Sequence, residues 1–194
     1  MKKAFLFTGL LAAAALVFGL TATSRAAYET APYTVVQSDG PHEIRDYPAL
    51  TVVSTSAAAD GDRDGRFMKL FGYISGKNEK QEKIEMTTPV FMDEAEGQSK
   101  MSFVVPAKVA AAGAPASGKP DVAVGQRPAA RYAVFRFSGL QRPANEQAAL
   151  AKLQAWLSAQ KLAATGQPVF AYYDSPWTPG PLRRNEVMLL LPKP

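Results

Sequence analysis

The feature that most constrains how this chain folds is that one order of elements is written twice. After Tyr33 the sequence reads YTVVQSDGPHEIRDYPALTVVSTSA, two strand-like runs separated by the turn-forming cluster Ser38-Asp39-Gly40-Pro41, a pattern that predicts a hairpin. RDGRFMKLFGYISG follows, with Phe67, Leu70, Phe71 and Ile74 at the spacing of one buried helix face and Gly76 as its stop. Ile84, Met86, Thr88, Val90 and Met92 then occupy every second position, as do Met101, Phe103 and Val105 after a short turn. The first half is ββαββ.

Residues 107 to 120, AKVAAAGAPASGKP, have no apolar period and read as a flexible connection. Beyond it the plan recurs. DVAVGQRPAARYAVFRFSG is compatible with a second hairpin, residues 143 to 162 with a helix burying Leu150, Leu153, Trp156 and Leu157, and QPVFAYY and NEVMLLL with two more strands. The tripeptide Pro-Val-Phe stands at the same place in both halves, at 89–91 and 168–170. The expected half-repeats are about 33–106 and 121–192. Two sheets, each with one apolar face and one helix to cover it, bury most surface by joining edge to edge, so the predicted fold is α+β: duplicated ββαββ halves forming a distorted antiparallel β-barrel with two packed helices.

The first 26 residues differ from the rest. Lys2 and Lys3 precede an apolar run from Ala4 to Leu20, and small residues surround Arg25. This is the form of a secretory signal peptide cleaved after Ala26 and predicts export, with the periplasm as the expected compartment; an uncleaved anchor is the less favoured reading. Lys2, Lys3 and Arg25 are three of the 22 basic residues and the leader has no acid, so the remainder holds 19 basic against 17 acidic residues. A basic nucleic-acid-binding surface is therefore not expected, nor is membrane association once the leader is removed. The absence of cysteine excludes disulfides, thiolate nucleophiles and Cys-ligated metals.

Catalytic chemistry is thinly supplied. Glu82 and Glu85 differ in strand parity and do not converge, GKNEK lacks the glycine spacing of a phosphate cradle, and the single histidine, His42, adjoins a turn where it reads as a surface residue. Met-Thr-Thr-Pro, residues 86–89, offers a thioether, but period-2 burial already accounts for Met86.

HEIRDY, VVSTSA, YISGKNEKQEKIEMTTPV, MSFVVP, RYAVFRFSG and YYDSPWTPGPLRRNEV, in this order over about residues 33 to 191, resemble the SOUL haem-binding proteins. The resemblance implies a distorted barrel of duplicated halves and the binding of haem or another tetrapyrrole, and the thin catalytic inventory makes that binding non-enzymatic. Where relatives use an axial histidine, it implies a position immediately before that of Tyr47, which is Asp46 here; His42 remains the one imidazole able to serve as an axial candidate. A porphyrin needs an apolar slot and cations for its carboxylates. The first helix offers Phe67, Met68 and Phe71 beside Arg63 and Arg66, and the long basic loop from Asp174 to Asn185 offers Trp177, Leu182, Arg183 and Arg184. The predicted cleft lies between them. Two other readings stand beside it: a module for a different hydrophobic effector, and an enzyme acting on haem or a small ester.

Overall fold

Pro48 and Pro128 decide how the halves join. A computed structural model describes residues 28–58, 62–95 and 97–192, and the expected signal peptide lies outside the described residues. Strands β3 (His42–Tyr47) and β4 (Leu50–Ala58) are separated only by Pro48-Ala49, and β8 (Ala123–Arg127) and β9 (Ala130–Phe137) only by Pro128-Ala129. A two-residue hairpin needs positive φ at its centre, whereas proline is held near −65°, so Pro-Ala carries the chain onward instead of reversing it. Accordingly β3 pairs with β9, and β8 with β4. Each half lends the strand before its Pro-Ala step, β3 or β8, to the other. This corrects two expectations: the run from His42 to Ala57 is two strands, and residues 121–139 form no hairpin. The hairpin at Ser38–Pro41 does form, between β2 (Thr34–Asp39) and β3.

The halves meet where β6 (Val90–Ala95) runs antiparallel to β10 (Thr165–Tyr172). Equating Val90 with Val169, as the repeated Pro-Val-Phe suggests, maps the pair Val169↔Asp93 onto Val90↔Tyr172, and Phe91↔Ala171 onto Phe170↔Met92. The register therefore has the two-fold symmetry of a duplicated unit. With β7 (Gln98–Val104) and β11 (Asn185–Leu191), the nine strands lie in the order β2-β3-β9-β11-β10-β6-β7-β4-β8. A separate parallel pair joins β1 (Glu29–Thr30) to β5 (Thr87–Thr88). The expected strand through Ile84 to Met92 is shorter than its alternation: it starts at Thr87 and is interrupted by the cis Thr88–Pro89 bond.

The sheet curls into a half-barrel. β3 and β6 are four places apart in the order, about 19 Å in a flat sheet, yet the rings of Tyr47 and Phe91 are 6.3 Å apart. Their face is thus concave, and Leu50, Val52, Val104, Val134 and Met188 share it. On the convex face α1 (Arg63–Ile74) and α3 (Pro143–Ala159) bury Leu70, Ile74, Leu153 and Leu157 against Val53, Phe103, Phe135 and Val187. The connection at 107–120 is more ordered than its composition implies. It contains the five-residue helix α2 (Ala107–Ala111), and its later part is anchored by Tyr73, whose hydroxyl donates to the Pro115 carbonyl at 2.8 Å, and by the Glu79 amide, which donates to Ala116.

Candidate functional site

The buried face of α1 is rotated from the one its apolar spacing predicts. Arg66, Leu70, Tyr73 and Ile74 are buried, while Phe67 is half-buried and Phe71 is 43% exposed. Two long polar residues have displaced the aromatics because each finds a backbone acceptor inside: Arg66 Nη1 donates to the Ser99 carbonyl at 2.8 Å, and Tyr73 to Pro115. Phe67 and Phe71 stack at 6.0 Å between centroids and form a ridge along the flank of the helix. Met68, beside them, is 60% exposed.

This ridge borders two adjoining hollows of about 130 and 190 Å³ that share Phe67, Val90, Tyr172, Asp174 and Pro176 as walls. The first extends to Arg63 and Met92, the second to Tyr28, Phe71, Met86 and Tyr173. The β1–β5 pairing holds the chain beside Tyr28 there. Each hollow is smaller than the roughly 300 Å³ at which drug-sized pockets begin, so a large planar ligand would rest against the ridge with one side in solvent.

The opposite wall is built by the loop after β10. Asp174 accepts the Arg184 amide, Ser175 Oγ accepts the Trp177 amide, and Arg183 donates Nε to the Thr178 carbonyl at 2.7 Å and Nη2 to the Pro176 carbonyl. The 3₁₀ turn Gly180–Leu182 is tied to the segment that follows β9 through the Gly139 amide, which donates to the Gly180 carbonyl. This closed set of bonds holds out Trp177, which is 91% exposed.

Of the cations singled out from the sequence, Arg63 lines the cleft. Its guanidinium lies 5.7 Å from the Tyr172 ring centroid and donates at 3.4 to 3.5 Å to Gln141 and Glu146. Tyr172 donates its hydroxyl to the same Glu146 oxygen at 2.6 Å. Burial first, then the charge of Glu146, pushes this phenol far above its ordinary range, so it acts as a fixed donor. The other three arginines are committed elsewhere: Arg66 inside the core, Arg183 to its own loop, and Arg184 to the concave face. There Arg184 donates to Glu186 at 2.7 and 3.0 Å and to the Tyr33 hydroxyl, and its guanidinium covers the Tyr173 ring at 3.9 Å. Leu182 is half-buried within the 3₁₀ turn and does not line either hollow.

His42 is not the exposed residue that its turn-side position predicts. Its ring stacks on Trp156 at 5.0 Å and 4° and lies 4.8 Å from Phe135, and its Nε2 is buried without a hydrogen-bond partner. These neighbours belong to α3 and β9, so His42 is outside the cleft beside α1. Among the described residues no group of three or more His, Asp or Glu side chains is placed to hold a metal ion. Sequence reasoning missed Tyr172, Val90 and Pro176; the available signal was that Tyr172 is the last strand residue before the loop already singled out.

The model of the SOUL haem-binding protein family matches residues 28–190. The chain belongs to this family. Haem-binding protein 2 of mouse is 40% identical over 75 residues, and its human counterpart 44% identical over 63 residues; the matches span 37% and 31% of each chain respectively, about a third of the length of these curated relatives. In three dimensions the chain is similar to the C-terminal domain of EcmrR (TM-score 0.60, 12% identity, 84% of this chain and 99% of that one) and to a hydrolase from Listeria innocua (TM-score 0.54, 10% identity, 80% and 93%). At such identities these likenesses show the fold alone.

Proposed function

We propose that this protein binds haem or a related tetrapyrrole, without chemistry on it, in the cleft between α1 and the loop of residues 173–184. The observation that carries this reading is the ridge at the rim of the core, where half-buried Phe67 supports the exposed Phe71 beside Met68, facing a braced loop with Trp177 held in solvent. Aromatic and thioether groups on an exposed ridge suit the flat face of a porphyrin, and Arg63 at one end suits a carboxylate. Membership of a haem-binding family supports the ligand class and supports binding over catalysis. The residues fit a porphyrin held by its face and edge. They do not supply an axial imidazole, because His42 is stacked away from this cleft. A partly exposed site suits reversible storage, transport or sequestration, and the leader-like composition of the first 26 residues supports a role outside the cytoplasm.

The test is an absorbance titration of the purified protein with ferric haem and with iron-free protoporphyrin. Saturable one-to-one binding of both, weakened by Phe71→Glu, is the expected result. Binding of haem but not of the iron-free ring would mean that iron coordination provides the affinity and would overturn the reading.

A further inference from the structure

One end of the half-barrel holds a larger space than the cleft beside α1. At the end of the sheet where the two Pro-Ala crossings lie, a cavity of about 580 Å³ opens among Tyr47, Ala130, Thr165, Leu190, Leu191 and Pro192, with the Asp46–Arg131 ion pair as the charged part of its wall. This volume is well inside the range of pockets that enclose a small molecule. The crossings create it. Tyr47 pairs with Ala130 and Leu50 with Arg127, so both prolines stand at the same end of the sheet, where neither chain segment turns back to fill the opening. Leu190, a large apolar side chain of a central strand, is left 37% exposed there.

Pro128 is also a wall of a second cavity, of about 320 Å³, whose character is different. It holds Arg127, Asp93 and Lys100. Arg127 reaches across the concave face, donating Nη1 to both Asp93 oxygens at 2.7 and 2.8 Å and Nη2 to the Tyr132 hydroxyl at 3.1 Å. Lys100 is the register partner of Asp93, and its exposed ammonium makes no hydrogen bond or ion pair within the described residues. Two cations thus face one carboxylate, and this end keeps a surplus positive charge beside a mainly apolar cavity whose own charged pair, Asp46 and Arg131, is mutually neutralised.

The geometry points to a second ligand site, in which a long-chain carboxylic acid lies with its hydrocarbon chain in the cavity at Leu190 and its carboxylate at Lys100 and Arg127. The apolar end removes hydrocarbon from water, which favours binding in proportion to the area covered. The other end selects the anion, because Arg127 is preorganised by Asp93 and Tyr132 and Lys100 has no competing partner. None of the walls of these two cavities is shared with the hollows beside α1. The site therefore stands independently of the tetrapyrrole reading.

The experiment is a fluorescence titration of the purified protein with a polyene fatty acid, kept below the concentration at which it aggregates, and with the corresponding alcohol. Saturable one-to-one binding of the acid is expected. Lys100→Glu weakens the acid by about tenfold and the alcohol by less than about twofold, the effect of reversing one contacting charge; Leu190→Glu weakens both. Should Leu190→Glu fail to fold, Thr165→Phe, at an exposed strand end, narrows the same opening. Haem does not displace the probe. Absence of saturable binding, equal response of acid and alcohol to Lys100→Glu, or displacement by haem would overturn the assignment.

Discussion

Arg45 and Glu186, 141 residues apart in the chain, form a two-pronged ion pair at 2.7 and 3.1 Å on the concave face. Arg45 also donates to Glu43 at 2.6 Å, and Arg184 closes on Glu186 from the other side. Burial alone would raise the Glu186 carboxyl, but the hydrogen bond from Arg45 and the charges of both arginines outweigh it and hold the group below its ordinary value of 4.5. Glu186→Gln leaves two arginines buried without their shared anion and is expected to cost about 3–5 kcal/mol.

The same network sets a pH dependence. A carboxyl whose folded pKa is depressed contributes stability that is complete above its unfolded value, here about 4.5, and is lost as pH falls toward the folded value. Wild-type stability is therefore expected to fall on acidification below about pH 4.5, and the gap between wild type and Glu186→Gln to narrow. Urea unfolding near neutral pH and again under acid conditions reads this directly. A gap of the same size in both would show that Glu186 carries no depressed titration.

The concave network also marks where sequence reasoning stops. The α+β class, the duplication and the two helices were legible because alternation and helical spacing are local properties of the chain. The exchange of β3 and β8 was not, since each pairs with a strand far away in sequence and only the identical Pro-Ala steps hinted that neither chain reverses. The candidate cations were half-legible for a related reason. Arg183, Arg184 and Arg66 look alike in a string of residues, but their roles depend on acceptors supplied by Pro176, Glu186 and Ser99. Phe71 was read as core because its spacing fits; it is exposed because Tyr73 and Arg66 take the buried face, each with one donor on a backbone carbonyl inside.

These commitments separate the arginines experimentally. Arg63→Ala is expected to weaken protoporphyrin by about tenfold, the worth of one hydrogen bond to a charged group, and to leave the dimethyl ester of the same ring unaffected. Arg184→Ala is expected instead to lower stability through Glu186 with no selective effect on the diacid. Parallel titrations with diacid and diester check both; an equal loss for the two ligands in Arg63→Ala would remove this residue from carboxylate recognition.

Trp177 offers a readout with little structural cost. Its side chain is 91% exposed, so Trp177→Ala is expected to change unfolding stability by no more than about 0.5 kcal/mol. If it covers one edge of a bound ring, the substitution weakens porphyrin binding by roughly 1 kcal/mol, the scale of an aromatic stack beyond its buried area. Fluorescence adds a check, because Trp156 is the other tryptophan and is buried between α3 and the sheet, donating Nε1 to Asp39 at 2.8 Å and lining neither hollow. Quenching on porphyrin addition that is stronger in wild type than in Trp177→Ala places the ring beside the loop.

His42 provides the sharpest contrast between a residue's chemistry and its position. It is the chain's one imidazole, yet it lies flat on Trp156 with Nε2 buried, between the sheet and α3. To ligate iron in the cleft beside α1, it would have to leave that stack and cross to another part of the convex face. His42→Ala is therefore expected to leave the Soret position and the haem affinity unchanged while reducing stability by about 0.5–1.5 kcal/mol for the lost ring contact, more if a cavity remains beneath Trp156. Absorbance and thermal unfolding of the same preparations test the two halves of this statement separately. A shifted Soret band at unchanged stability would make His42 a ligand and move the haem site to the face of α3.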